Sequence, residues 1–206
     1  NPPVIQATKK RPLHEIREGI AEARKNPIIF GNLLAAGIVS SLILNMGTYG
    51  PLFADRVLHT GLDGFGSILF AAGAGSMASG ILSATSSTHY SQRFIFTAAG
   101  LCGLLLMAVS YISWTIPALF MFALLGFVTI LFMVNCNTAI QMASPPEYLG
   151  RIMGLYTFVF LGSAPFGSLL VSAIIEYMGT SLGLAIVGLF EIILILLTAK
   201  TYSKQK

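Results

Sequence analysis

The stretch "SPPEYLGRIMGLYTFVFLGSAPFGSLL", Ser144–Leu170, decides the fold. Two prolines, one acid and one arginine stand between two long apolar runs. The second run carries Gly162, Pro165 and Gly167 inside a segment long enough to be a helix. Proline and glycine normally end helices in water. In a bilayer they are tolerated, because neighbouring helices re-satisfy the freed backbone groups.

Composition points the same way. Of 206 residues, 55% are hydrophobic and 10% charged, and mean hydropathy is +0.79. A soluble domain carries about 25% charged residues. Six apolar runs are expected, at approximately 28–53, 64–85, 94–113, 117–142, 152–176 and 182–199. Each is near or above the ~20 residues that cross a bilayer as helix. The chain is therefore expected to be an all-α membrane protein. Residues 1–26 would form a linker and an amphipathic helix, 27–200 the six-helix domain, and 201–206 a tail. Within residues 13–25, Leu13, Ile16, Ile20 and Ala23 share one helical face. That segment suits either a helix lying in the membrane interface or a short cap on the bundle. Asp63 is the expected N-cap of the second run, and Pro27 and Pro117 stand at helix starts.

Charge sets the expected orientation. With six spans, eleven of the twelve Lys and Arg fall on the side of the termini, and only Arg56 lies opposite. The positive-inside rule places both termini in the cytoplasm. The net charge of +4 and the pI near 9.2 are then membrane topology, and nucleic-acid binding is not expected. Cys102 and Cys136 lie in separate apolar runs and have no ligand spacing, so neither metal nor cofactor is expected. His14, His59 and His89 all fall outside the spans, which leaves an intramembrane serine hydrolase without its base. No phosphate-binding loop is present, and an enzyme is not expected.

Small residues repeat in the second run as Ala72, Ser76, Gly80 and as Gly75, Ser79, Ser83, a pattern that lets helices approach closely. Polar residues align in three runs. These are Gly37, Ser41, Asn45 and Thr48; then Gly126, Thr129, Met133, Asn137 and Gln141; then Tyr156, Phe160, Ser163 and Gly167. They are expected either to line a substrate path or to bond between helices. Glu191 is central in the sixth run. It is either a protonatable functional group or a neutral acid held between helices.

Four stretches carry a resemblance. They are "EIREGIAEARKNP", "YGPLFADRVLHTGLDGFGSILFAAGAGSMASG", "NTAIQMASPPEYLGRIMGLY" and "FLGSAPFGSLL". Together they resemble helices 7 to 12, the C-terminal half, of a major facilitator superfamily transporter. The branch they resemble holds the macrolide-efflux and enterobactin exporters. In that branch the loop before helix 11 usually reads Arg-Gly-Arg. Here Leu149 replaces the first arginine, while Gly150 and Arg151 remain. The superfamily's Gly-x-x-x-Asp-Arg-x-Gly-Arg loop has no counterpart, and "SSTHYSQR" stands in its place. The resemblance implies two inverted three-helix repeats, with the first and fourth spans lining a cavity. It places Gly150 and Arg151 at a cytoplasmic gate, and Gly162, Pro165 and Gly167 at a bend. It implies export of a small organic molecule across the cytoplasmic membrane, with proton coupling. The missing N-terminal six-helix half would be the partner, since the chain, starting at Asn1, is expected to be a fragment. A half-size self-pairing transporter and a non-transporting scaffold are the alternatives.

Overall fold

The computed structural model of the chain describes residues 12–85 and 91–204, and the side chains of 19–85 and 91–202. The expected linker and most of "SSTHYSQR" lie outside these residues. The described residues form eight helices and no strand. They are α1 (Pro12–Lys25), α2 (Pro27–Leu42), α3 (Met46–Arg56), α4 (Gly61–Thr85), α5 (Gln92–Val109), α6 (Thr115–Ala143), α7 (Leu149–Met178) and α8 (Thr180–Lys204). Six segments are long and apolar enough to cross a bilayer, with α2 and α3 together forming the first, Pro27–Arg56.

Local chemistry fixes the ends. The Asn26 side chain accepts from the Ile28 N–H at 3.0 Å, and Pro27 follows it at the first helical position. Asp63 is not the N-cap of α4, because that helix already begins at Gly61. Asp63 sits in its first turn, where a carboxylate still favours the helix dipole. The turn ahead of it uses positive φ at His59 and Gly61. Helices α7 and α8 are joined by Gly179 alone, at φ +81°, a conformation that favours glycine. Helix α8 runs on to Lys204, so residues 201–204 are helical and not a free tail.

The main departure is in the first span. Helix is interrupted at Ile43–Asn45, whereas α7 continues through Pro165. Non-helical backbone at membrane depth survives only if its polar groups are satisfied. Here the buried Tyr49 hydroxyl donates to the Ile43 carbonyl at 2.8 Å, and the Asn45 amide donates to the Ser41 carbonyl. The Asn45 carbonyl accepts from the Thr48 N–H at 2.8 Å and starts α3. Gly47, Gly50 and Pro51 follow at once, and the missing N–H of Pro51 weakens any longer continuous helix.

The packing repeats itself. The first unit is α2/α3, α4 and α5, and the second is α6, α7 and α8. The opening helix of each unit packs on the middle helix of the other, α2 on α7 and α6 on α4. The closing helices α5 and α8 pack on each other. Every one of these seams runs through glycine. A Cβ on Gly75 would overlap the Ala123 carbonyl, and one on Gly126 the Ala72 carbonyl. A Cβ on Gly167 would overlap the Ser41 carbonyl. Gly103 and Gly188 face each other so closely that each would strike the other's carbonyl. Small-residue contact of this kind is how helices associate in lipid, where apolar burial supplies no drive.

Helix α1 lies across α2 and α7. Gly19 packs on the Arg151 backbone and Ala23 is buried, while Ile20 and Arg24 stay exposed. The side chains of Leu13 and Ile16 are outside the described set.

Gly75→Ala and Gly126→Ala should each force α4 and α6 apart and cost roughly 1–3 kcal/mol. Thermal unfolding in detergent checks this. Gly100→Ala, with nothing within 4 Å of its added methyl, should leave the midpoint unchanged or slightly raised.

Candidate functional site

Six of the polar residues singled out in the sequence sort into two levels, Asn137, Gln141 and Tyr156 in one and Ser41, Asn45 and Thr48 in the other. The Asn26 amide donates to the Ala143 carbonyl at 3.2 Å, so α2 begins where α6 ends. At a rise of about 1.5 Å per residue, Asn45 stands roughly 27 Å from Pro27, and Asn137 roughly 9 Å from Ala143. The two levels are therefore about 18 Å apart along the bundle.

The level near the α6 terminus joins Asn137, Gln141 and Tyr156. The Gln141 side-chain amide donates to the Asn137 side-chain oxygen Oδ1. The Asn137 side chain lies near the Tyr156 hydroxyl across the α6–α7 interface. Tyr156 stacks on Phe160 with ring centroids 5.8 Å apart. Gln141 is exposed, Asn137 half-buried and Tyr156 buried, so the cluster grades from surface to interior. An amide pair with an aromatic face can bind a polar group and an apolar ring together.

The far level is the helix break. The Ser41 hydroxyl donates to Ile38 at 3.0 Å, and its carbonyl takes the Asn45 amide while Gly167 presses on it. Thr48 is half-buried one turn beyond. Gly162 has open space around it, and Pro165 is exposed. Thr129 does not join either level. It is 5% exposed, donates to Leu125 at 2.7 Å and lies 3.6 Å from the Cys102 sulfur, inside the α5–α6 seam.

The turn before α7 is compact. The Tyr148 N–H donates to Pro145 at 2.9 Å, and the Arg151 guanidinium lies 5.5 Å from the centre of the Tyr148 ring. Gly150 has nothing within 4 Å of an added methyl.

Glu191 is fully buried where α8 crosses α5, with its carboxyl against Gly103. The Gly103 backbone interacts with it, but neither oxygen makes a hydrogen bond of normal geometry among the described residues. No cation faces it there, which fits a neutral acid better than an ionised one.

One pair escaped the sequence reading. Asn32, fully buried on α2, exchanges two amide hydrogen bonds with Gln92 of α5, at 2.9 and 3.0 Å. Asn32 also donates to Ile28 at 2.8 Å.

Asn32→Leu should strand the Gln92 amide and cost about 1–2 kcal/mol. The double variant Asn32→Leu/Gln92→Leu should recover part of that loss in the same unfolding assay. Glu191→Gln should keep wild-type stability, since no ion pair is there to lose. A marked drop would reveal a charged partner.

A family model described as Major Facilitator Superfamily matches residues 2–168. No curated protein and no solved structure matches the chain.

Proposed function

Because the chain belongs to the major facilitator superfamily, a family of secondary transporters, we propose that it is the C-terminal half of an exporter. It would carry a small, amphipathic organic molecule such as a drug or siderophore out of the cytoplasm by alternating access with proton antiport. Both termini would lie in the cytoplasm. The family and the six apolar helices make it a multi-pass membrane protein. The direction of transport, the substrate class and the proton rest on the resemblance to the macrolide-efflux and enterobactin exporters.

Unequal burial of the spans carries the reading. Only 17% of the apolar window is buried in α4 and in α7, against 39–56% in the other four spans. The uncovered face of α4 carries Gly66, Gly73 and Gly80, seven residues apart with nothing within 4 Å. On α7, Gly154 is equally open. Apolar side chains on such a face would suit lipid, but exposed glycines suit the close approach of another helix. A second six-helix half seated there would enclose a central cavity. Asn137, Gln141 and Tyr156 would form its inner lining, and Ser41, Asn45 and Thr48 its outer lining. Gly150 and Arg151 would belong to the inner gate, and the seam at Gly162–Gly167 would bend as the halves rock. Glu191 is the protonatable candidate. The same uncovered faces would also suit a second copy of the chain, which is the alternative.

In the full-length protein, Asn137→Ala and Gln141→Ala should each lower substrate efflux by about tenfold, equivalent to about 1.4 kcal/mol. Wild-type efflux in both would reduce the polar levels to packing. Water-soluble thiol reagents should reach Asn45→Cys from outside and Asn137→Cys from inside, and the opposite pattern would reverse the orientation. A coding sequence upstream of Asn1 with six further spans would identify the partner half. A start codon there would favour self-pairing.

A further inference from the structure

We propose that the groove between α5 and α8 binds one anionic phospholipid, its phosphate at Arg93 and its acyl chain along the groove toward Leu104. The groove has a volume of about 830 Å³. Its shape follows from the helix crossing. Gly103 and Gly188 bring the two backbones into contact at mid-depth, so the helices diverge toward the ends that carry Arg93 and Tyr202. Gly100 leaves the floor open, with nothing within 4 Å of an added methyl.

The lining is graded along the axis. At the boundary end stand Ser91, Arg93 and Tyr202, with Tyr202 edge-on to Phe96 at 5.8 Å between centroids. Beyond Thr97 the walls are apolar, formed by Leu101, Leu104, Ile192 and Leu196. From Arg93 to Leu104 the helix rises roughly 16 Å. That is close to half of the ~30 Å hydrocarbon core, the depth of one leaflet. A cation and an aromatic at the boundary above a leaflet-deep apolar slot match a phospholipid end to end.

The charge selects the headgroup. Arg93 is exposed and makes no ion pair among the described residues, and no acidic residue lines the groove. Lys200 adjoins the lining residue Ala199 on α8. A zwitterionic headgroup would bring its own cation against Arg93, whereas an anionic one would not. Identification of this leaflet as the cytoplasmic one rests on the orientation proposed above.

Native mass spectrometry of the full natural chain in detergent, with equal phosphatidylglycerol and phosphatidylethanolamine added, tests the site. Wild type should retain phosphatidylglycerol in roughly fivefold preference, the effect of one basic residue near a lipid surface. Arg93→Gln should bring the two lipids to parity, and Arg93→Lys should keep most of the preference. Gly100→Trp, which fills the slot, should reduce retention of both. An unchanged preference in Arg93→Gln would overturn the proposal, whether or not Gly100→Trp folds. A dimer that Gly100→Trp dissociates would also overturn it, by giving the groove to a second copy. Sidedness is read separately by labelling Arg93→Cys in intact cells. An outward Arg93 with the lipid preference intact would sink the orientation and leave the lipid site standing.

Discussion

Backbone-to-backbone contact through glycine is the interaction on which the rest of this structure depends. Inside a bilayer, two leucine-covered helices gain little by leaving lipid for each other. They hold together when their backbones come close enough for continuous van der Waals contact. Gly75 and Gly126 provide this between α4 and α6, Gly167 between α2 and α7, and Gly103 with Gly188 between α5 and α8. Side chains then fill the space these contacts define. The Phe53–Phe122 edge-on pair, with centroids 5.5 Å apart, sits in the core between α3 and α6.

A second constraint is that a polar group at membrane depth is costly without a partner, and Ser41, Asn45 and Asn137 all have one. It gives the residues singled out as candidates a structural role first. The Asn45 amide closes the helix break, and the Asn137 side chain takes the Gln141 amide. A group that can exchange an internal partner for a ligand costs little while it waits. The two levels are separated by about 18 Å along the bundle, too far for one small molecule to touch both at once.

Much of this was legible in the sequence, and the misses have physical causes. Spans of twenty apolar residues are dictated by bilayer thickness, so their number followed from hydropathy. The interruption at Ile43–Asn45 was hidden because apolarity continues on both sides of it. Pro165 attracted attention instead, yet an exposed proline on the outside of a helix need not stop it. Asp63 looked like a cap because acids cap helices, but the turn at His59–Gly61 starts α4 earlier. Thr129 shares a helical stripe with Asn137, and only the approach of α5 shows that the stripe passes from a seam to an open face. The Asn32–Gln92 pair joins positions far apart in the chain, and no local pattern encodes such a contact. Glu191 stood out at once, but its seat on Gly103 depends on how α5 crosses α8.

That crossing has a further consequence. If the two three-helix units descend from one duplicated ancestor, the α5–α8 contact lies near their pseudo-two-fold axis. A surface on such an axis meets its own counterpart, as in an isologous dimer. Before duplication, the ancestral third helix would have had to be complementary to a copy of itself, and glycine is the residue that meets this demand with least cost. The Gly103–Gly188 pair is the contact on which that demand would fall. It constrains both three-helix units at once, because a side chain at either position would strike the other's carbonyl and the facing glycine has no bulk to give up in exchange.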